Sequence, residues 1–340
     1  MIIVNTDPQI NGGITQVNLR LNNHLNIDKY IIISNKKPNF ILKNLIWIKS
    51  YGPSPFILFN FFKFFYLIFK NKTKNKTSII LSDPQFSLIS IILIFFKIFH
   101  NFNVFFISHG FLFHNKKFIF FKKIYFNLFI FFSKFFIVIA VSKNDELILK
   151  NYKKKNFVTI LNGIDKLKES KIKKYKFCLI GRNVKSKKIN EYLDFINHYY
   201  NKKRTKKKSI LITDTLKVPI ENKNMKVFFN LNRSKLNFII SRTEYIMSFS
   251  EYEGFGLALL EGISGGCIPI CKNNISFNSI LKKFRFLMFK DSNNKKIFNK
   301  IVKIDKLKSK DKEKLKQNLK KLVEFYSIEK MIYNYKKILK

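Results

Sequence analysis

Short runs of Ile, Val, Leu and Phe alternate with longer segments of helical periodicity along almost the entire chain. Few architectures accept that order. Strand followed by helix, repeated, buries both faces of a parallel sheet under helices and makes an α/β fold of βαβ units. The candidate strands of the first half are residues 2–5, 30–34, 78–81, 103–108 and 136–141. A second set follows residue 170, at 177–181, 209–213, 225–229, 245–248 and 267–271. Between the sets lie the turn tetrapeptide Asn162-Gly163-Ile164-Asp165 and a polar, lysine-rich run, 166–174. Asn and Gly both tolerate turn backbone, so the domain boundary is placed there. A chain of 340 residues also exceeds the size at which single cores usually stop growing. The expectation is two domains, 1–165 and 166–325, with residues 326–340 as a terminal helix.

The charge balance is extreme: 65 Lys and Arg against 21 Asp and Glu, a formal net charge of +44. Such an excess attracts phosphate from a distance, which raises nucleic acid and anionic membranes as partners. A compositional cause competes with both. Lys, Asn, Ile and Phe are abundant everywhere while Gly, Pro and Trp are scarce, as AT-rich codons at tolerant positions would produce. The basic stretch 201–209 has no interleaved aromatic residues to stack bases, so it reads as a solvated loop and no specific nucleic-acid partner is expected.

Three Phe/Ile-rich stretches, 56–69, 86–99 and 118–140, are interrupted by Lys63, by Lys97, and by Lys122, Lys123 and Lys134. A membrane span needs ~20 predominantly apolar residues, so none reads as one. They are either core helices against a sheet or helices lying on a bilayer with lysines snorkelling to the headgroups. Cys178, Cys267 and Cys271 match no zinc or redox spacing, and the N-terminus reads as a strand rather than a signal peptide. A cytoplasmic location is expected, at the inner face of the membrane if the aromatic stretches meet lipid.

The chemistry is concentrated in Ser250-Glu251-Tyr252-Glu253-Gly254-Phe255-Gly256-Leu257-Ala258-Leu259-Leu260-Glu261. Glycines let backbone N–H groups approach a ligand, and the helix beyond them turns its positive end toward phosphate. The five steps from Gly256 to Glu261 span roughly 7 to 8 Å of helix, about the reach from a bound phosphate to the ribose of the same nucleotide. A carboxylate at Glu261 can accept both ribose hydroxyls. Upstream, Gly181-Arg182-Asn183-Val184-Lys185-Ser186-Lys187-Lys188 follows a candidate strand and carries several cations.

Seven residues separate Glu253 from Glu261. With the embedded Glu253-Gly254-Phe255-Gly256-Leu257 and the following Ser264-Gly265-Gly266-Cys267-Ile268-Pro269-Ile270, this segment resembles the signature of the retaining glycosyltransferase family four. Arg182 and Lys187 match that family's Gly-Arg-x-x-x-x-Lys-Gly. Asn11-Gly12-Gly13-Ile14 resembles its N-terminal Gly-Gly loop, and His109-Gly110 its acceptor-side His-Gly. The resemblance implies the GT-B fold: two Rossmann-like, doubly wound parallel-sheet domains facing a central cleft, with a C-terminal helix crossing back to the first.

It also implies roles. Glu261 would bind the ribose, Arg182 and Lys187 the diphosphate, and Glu253 with the amides of Gly254, Phe255, Gly256 and Leu257 the donor sugar and phosphate. Gly12 and Gly13 would approach the donor or acceptor, and His109 the acceptor side of the reacting sugar. The implied partners are a nucleoside-diphosphate sugar as donor substrate and a glycan or lipid-linked acceptor, with peripheral contact to an anionic membrane. No cofactor is expected to be required. No Asp-x-Asp metal motif stands in a convincing position, since Asp83, Asp145 and Asp165 stand singly. Departures from the pattern occur at Lys188 and Asn230, where glycine is usual, at Thr213-Asp214-Thr215, and at Cys271-Lys272-Asn273-Asn274. They leave open a second reading, a glycosyltransferase-like subunit that supports another enzyme at the membrane.

Overall fold

The computed structural model describes residues 1–7, 13–51, 58–59, 61–70, 77–82, 102–109, 127, 129–131, 133–152, 156–216 and 222–339. It divides into two compact units, Met1–Asn162 with Glu329–Lys340, and Gly163–Ile328.

In the first unit the strands are β1 (Ile2–Asn5), β2 (Lys29–Ser34), β3 (Leu45–Tyr51), β4 (Leu58–Phe59), β5 (Thr77–Ser82), β6 (Phe102–Ser108), β7 (Ile137–Ala140) and β8 (Phe157–Thr159). They form one sheet in the order β4-β3-β2-β1-β5-β6-β7-β8. All pairs are parallel except β3 with β4. Val4 lies opposite both Ile31 and Leu81, and the three share one apolar cluster with Ile79, Phe106 and Val138. Residues of the opposite parity, such as Ile3, Ile32, Ile80 and Phe105, are equally buried. Burial on both faces is why these strands read as unbroken apolar runs rather than as alternations. The helices here are α1 (Gly13–His24), α2 (Phe61–Phe69) and α3 (Lys143–Asn151).

The second unit holds β9 (Tyr175–Ile180), β10 (Lys208–Thr213), β11 (Met225–Phe229), β12 (Thr243–Ser248), β13 (Ile268–Lys272) and β14 (Met288–Phe289). They pair in parallel in the order β11-β10-β9-β12-β13-β14. Its helices are α4 (Ile189–Lys202), α5 (Arg233–Ser241), α6 (Leu257–Ser264), α7 (Ile275–Ile280), α8 (Asn294–Asp305) and α9 (Ser309–Val323). All but the first residue of the last helix, α10 (Ile328–Leu339), belong to the first unit. An aromatic core of Phe177, Phe195, Tyr199 and Tyr245 sits between β9, β12 and α4, with ring centroids 4.7 to 6.0 Å apart.

Both sheets are doubly wound. The chain runs outward from β1 to β3 and from β9 to β11, then returns to the other side of the starting strand at β5 and at β12. That reversal makes a topological switch point, where the loops beyond two neighbouring strands part and leave a crevice at their carboxyl ends. The expected GT-B class of two Rossmann-like parallel sheets is thereby found. Asparagine, so common in this chain, serves as helix N-cap: the side chains of Asn232, Asn274 and Asn293 accept from the backbone N–H three residues on, at 2.9 to 3.0 Å.

Every expected strand is present with ends shifted by at most a few residues, while β3, β4, β8 and β14 were not anticipated. β3 alternates buried Ile48 and Ser50 with exposed Lys49 and Tyr51, and β8 and β14 are too short to stand out. Of the three aromatic stretches, 86–99 lies outside the described residues, as do parts of the other two. From the first comes α2, with Phe64 and Ile68 buried and Phe62 and Tyr66 exposed. Among the described residues no helix is long and apolar enough to cross a membrane.

At the amino ends of the second unit's strands lies a buried ion network. Lys176 of β9 reaches Glu244 of β12 at 2.7 Å and Asp305 of α8 at 3.0 Å. Asp305 also accepts from Lys203 at 2.9 Å and from the Tyr245 hydroxyl at 2.7 Å. Burial alone would raise the Asp305 pKa. The lysines and Tyr245 outweigh it and hold the carboxyl down at about 2.

Candidate active site

The two motifs of the second unit meet at its switch point. β9 ends into Gly181-Arg182, and β12 ends at Ser248, three residues before Glu251, where the turn begins. Beyond β9 the chain makes a single 3₁₀ turn, Lys185–Lys187, before entering α4. The stem of Lys187 folds back over Gly181, and its Cδ lies 3.5 Å from where a Cβ on that glycine would stand. The Lys187 ammonium then reaches Glu253 Oε1 at 2.6 Å, with both side chains largely buried. Arg182 is exposed and is given no carboxylate partner among the described residues.

Asp214, at the end of β10, binds this loop from below. Its Oδ1 accepts from the Asn183 N–H at 2.8 Å and the Thr215 N–H at 2.9 Å. Burial pushes its pKa up, and the backbone donors more than reverse this, so the carboxylate is held below its ordinary range. Lys188, at a position where glycine was expected, takes the left-handed conformation glycine would take, φ 51° and ψ 46°. Asn230, the other such position, has φ 46°. Both residues therefore hold a backbone conformation that favours glycine; Asn does so readily and lysine at a cost of about 1 to 2 kcal/mol. Lys188 is held there by Glu251 at 3.1 Å.

The glycine turn after β12 is fixed from α7. Asn274 Nδ2 donates to the Ser250 carbonyl at 3.0 Å, and Ser276 Oγ to the Glu253 carbonyl at 2.5 Å. Gly256 is the N-cap of α6 with φ 99°, a conformation side chains rarely adopt, and Phe277 would lie 2.8 Å from any Cβ there. Phe255 is buried with its ring edge-on to Tyr326 at 5.7 Å, and Leu257 opens the helix. Further along α6, Gly262 brings the helix onto β12 so closely that a Cβ would stand 2.6 Å from Ile246. Glu261, expected at a ribose, is buried and paired with Arg233 at 2.6 Å, and the same nitrogen reaches Asp165 at 3.3 Å.

Arg182, Lys187, Glu253, Gly254, Phe255, Gly256, Leu257 and Glu261 thus all lie in the second unit, at loops or a helix beyond the carboxyl ends of β9 and β12. Sequence reasoning passed over Asp214 as an anchor and Arg233 altogether. The available signal for Arg233 was its rarity: the chain has only six arginines among 65 basic residues.

The first unit carries the remaining expected residues. Gly13 begins α1, while Gly12 and Gly110 lie outside the described residues. The loop beyond β1 is held by Asn5, whose Nδ2 donates to the Asp7 carbonyl, Thr15 Oγ1 and the Tyr30 hydroxyl at 3.2 to 3.3 Å. His109 follows β6, with Nε2 2.6 Å from Ser82 Oγ at the end of β5. Ser82 donates its proton to Asn18 Oδ1 at 2.8 Å, so it accepts from His109 and the imidazole carries its proton on Nε2. Burial pushes the His109 pKa down to about 3, which keeps the ring neutral at physiological pH.

That shift makes a prediction. The unfolded chain binds a proton at His109 near pH 6.5 and the folded chain does not until about pH 3, so stability falls as pH drops through this window. The slope approaches about 1.4 kcal/mol per pH unit. His109→Gln should flatten urea-unfolding stability between pH 6.5 and 5 relative to wild type. Equal slopes in the two proteins would show that His109 is not the group responsible.

The description glycosyl transferases, group 1, is that of the family whose model matches residues 143–322, more than half of the chain. No curated protein sequence matches. Among solved structures, Anabaena HepE in complex with UDP and glucose superposes with TM-score 0.75 at 10% identity, over 99% of this chain and 98% of its own. The pneumococcal O-GlcNAc transferase GtfA, in complex with UDP and GlcNAc, gives 0.72 at 11% identity over 100% and 98%. A Staphylococcus aureus TarM mutant in complex with fondaparinux, α-GlcNAc-glycerol and UDP gives 0.60 at 16% over 77% of this chain, and the chain spans 55% of that protein's length. Its doubly wound sheets match those of these structures, and by the family match the chain belongs to the group 1 glycosyl transferases.

Proposed function

We propose that this glycosyltransferase is a retaining, metal-independent enzyme that moves a sugar from a nucleoside-diphosphate donor to a hydroxyl of a glycan or lipid-linked acceptor. The observation that carries the reading is the approach of Lys187 to Glu253 at 2.6 Å beside the glycine turn that caps α6. It joins a cation suited to a leaving diphosphate, a carboxylate suited to a cationic sugar, and a helix N-terminus suited to phosphate. As the bond to the anomeric carbon breaks, Lys187 and Arg182 meet the charge gathering on the leaving oxygen. Glu253 faces the positive charge left on the sugar, and the N–H groups of Gly254 to Leu257 face the negative phosphate of the departing diphosphate. Lys187, held by Glu253, and Arg182 supply the positive charge that a divalent ion supplies in other transferases, which is the ground for metal independence. Retention rests on the resemblance to family four.

The neutral His109, a hydrogen-bond donor to Ser82 through Nε2, keeps Nδ1 as an acceptor suited to a sugar hydroxyl. UDP is the first donor nucleotide to test, because HepE, GtfA and TarM were each solved with it. Cell-surface polysaccharide or glycolipid synthesis at the inner face of the membrane is the setting we infer. It is supported by the positive charge and by α2, where Phe62 is 91% exposed, Lys63 stands beside it, and Lys70 lies 5.3 Å from the ring centre of exposed Tyr66.

The test is thermal unfolding of the purified protein with UDP, ADP and GDP and with their sugars, alongside Glu261→Ala. A nucleotide at ~100 times its dissociation constant should add roughly 2.7 kcal/mol to wild type and much less to the variant. If no nucleotide stabilises the folded wild-type protein, the enzyme reading fails and the supporting-subunit reading replaces it.

A further inference from the structure

The Glu261 side chain is only 7% exposed, and a carboxylate so far from water needs a compensating charge. Ribose hydroxyls are neutral and cannot supply one. The charge comes from Arg233, the first residue of α5, whose Nη2 lies 2.6 Å from Glu261 Oε1 and 3.3 Å from Asp165 Oδ2. Three separate pieces of chain converge here. Asn232 caps α5 through the Lys235 N–H and so starts the helix one residue before the arginine. Asp165 is tied to the end of α6, since Ser264 Oγ donates to the Asp165 carbonyl at 3.1 Å and accepts from the Leu167 N–H at 2.9 Å. The Ile164 N–H donates to the Tyr326 carbonyl at 2.8 Å and fixes the same turn from its other side. Arg233 Nη2 is drawn to both carboxylates at once, and the shorter contact ties Glu261 Oε1 to it.

We propose that Arg233 is the positioning residue of the nucleotide site, holding the Glu261 carboxylate oriented toward the ribose hydroxyls of the donor. This rests on the reading of Glu261 as the ribose-binding group. Arg233 does not touch the reacting atoms; it acts through Glu261. The buried Nε of Arg233 has no acceptor among the described residues, so both ion pairs are made by Nη2 at the tip of the guanidinium plane. Lysine at this position restores the charge without the planar fork.

The experiment compares binding of UDP and of 2′,3′-dideoxy-UDP by calorimetry in wild type, Arg233→Met, Arg233→Lys and Glu261→Gln, each first shown to be folded by circular dichroism. Hydrogen bonds from the ribose hydroxyls to a charged acceptor should make wild type prefer UDP on the order of 10- to 100-fold. In Arg233→Met the preference should collapse toward one even if both ligands also weaken together, and Arg233→Lys should recover part of it. A wild-type preference that survives in Arg233→Met overturns the assignment of Arg233. A preference undiminished in Glu261→Gln, whose neutral amide oxygen accepts more weakly than a carboxylate, instead removes Glu261 from the ribose, and the proposal falls with that reading. Should Arg233→Met fail to fold, Arg233→Lys decides alone: an undiminished preference there means that charge without geometry suffices, and positioning is refuted.

Discussion

Exchanging Lys187 for alanine is expected to cut turnover by about 10²- to 10³-fold, the size of effect seen when one preorganised electrostatic donor is taken from a site where charge develops. The ammonium sits 2.6 Å from Glu253, at the point where the two motifs meet. Its loss removes a cation that we propose meets the leaving group and leaves a largely buried carboxylate without its Lys187 partner, so Lys187→Ala should also lose some stability. Arg182→Ala provides the contrast. That side chain is exposed, so its removal should leave the unfolding midpoint in place while lowering the rate of sugar transfer. Turnover with a saturating UDP-sugar and thermal midpoints of both variants make the check. A loss below tenfold in Lys187→Ala would reduce the residue to a structural partner of Glu253.

The largest stability effect is expected from Asp305→Asn. The amide keeps the shape of the carboxylate but deprives Lys176, itself 8% exposed, of one of its two anionic partners. Removing one member of a buried charge network costs about 3 to 5 kcal/mol, which for a unit of this size is roughly 6 to 20 °C in unfolding midpoint. The variant should also change acid sensitivity in a defined direction. The wild-type carboxyl is held at about 2 against an ordinary 3.8, so its contribution is complete above the ordinary value and lost as pH falls toward 2. Asp305→Asn lacks that loss. Its window, from 3.8 down to about 2, overlaps only the foot of the one expected for His109, so the difference between wild type and Asp305→Asn should hold steady from pH 7.5 to 5.5 and shrink by pH 2.5. A wild-type midpoint in the variant at pH 7.5 would show that the network contributes nothing net.

The strands were legible because parallel strands buried on both faces leave uninterrupted apolar runs, as Ile31-Ile32-Ile33 and Ile210-Leu211-Ile212 do. β3 escaped notice because one of its faces is partly exposed, and the residues there, Lys49 and Tyr51, break the run. The glycine turn and its two glutamates were readable because close backbone approach demands particular residues at particular spacings. Lys188 and Asn230 stand where the pattern asks for glycine, and both take positive φ, 51° and 46°, the region that favours glycine. Arg233 left no trace in spacing. Its partners come from 28 and 68 residues away, and only the packing of α5 against the turn at Asp165 and against α6 brings them together.

One feature of the second sheet bears on how such a chain can change. The ion network clasps the strands at their amino ends through Lys176 and Glu244, whereas Gly181 and the turn beginning at Glu251 open at their carboxyl ends. Five residues of extended chain, roughly 16 Å, separate Lys176 from Gly181. Substitutions that far apart with no shared partner combine additively. Loops at the far end are therefore free to diverge toward another sugar or nucleotide while the clasp that keeps the unit folded goes untouched, so specificity and endurance can evolve on separate tracks.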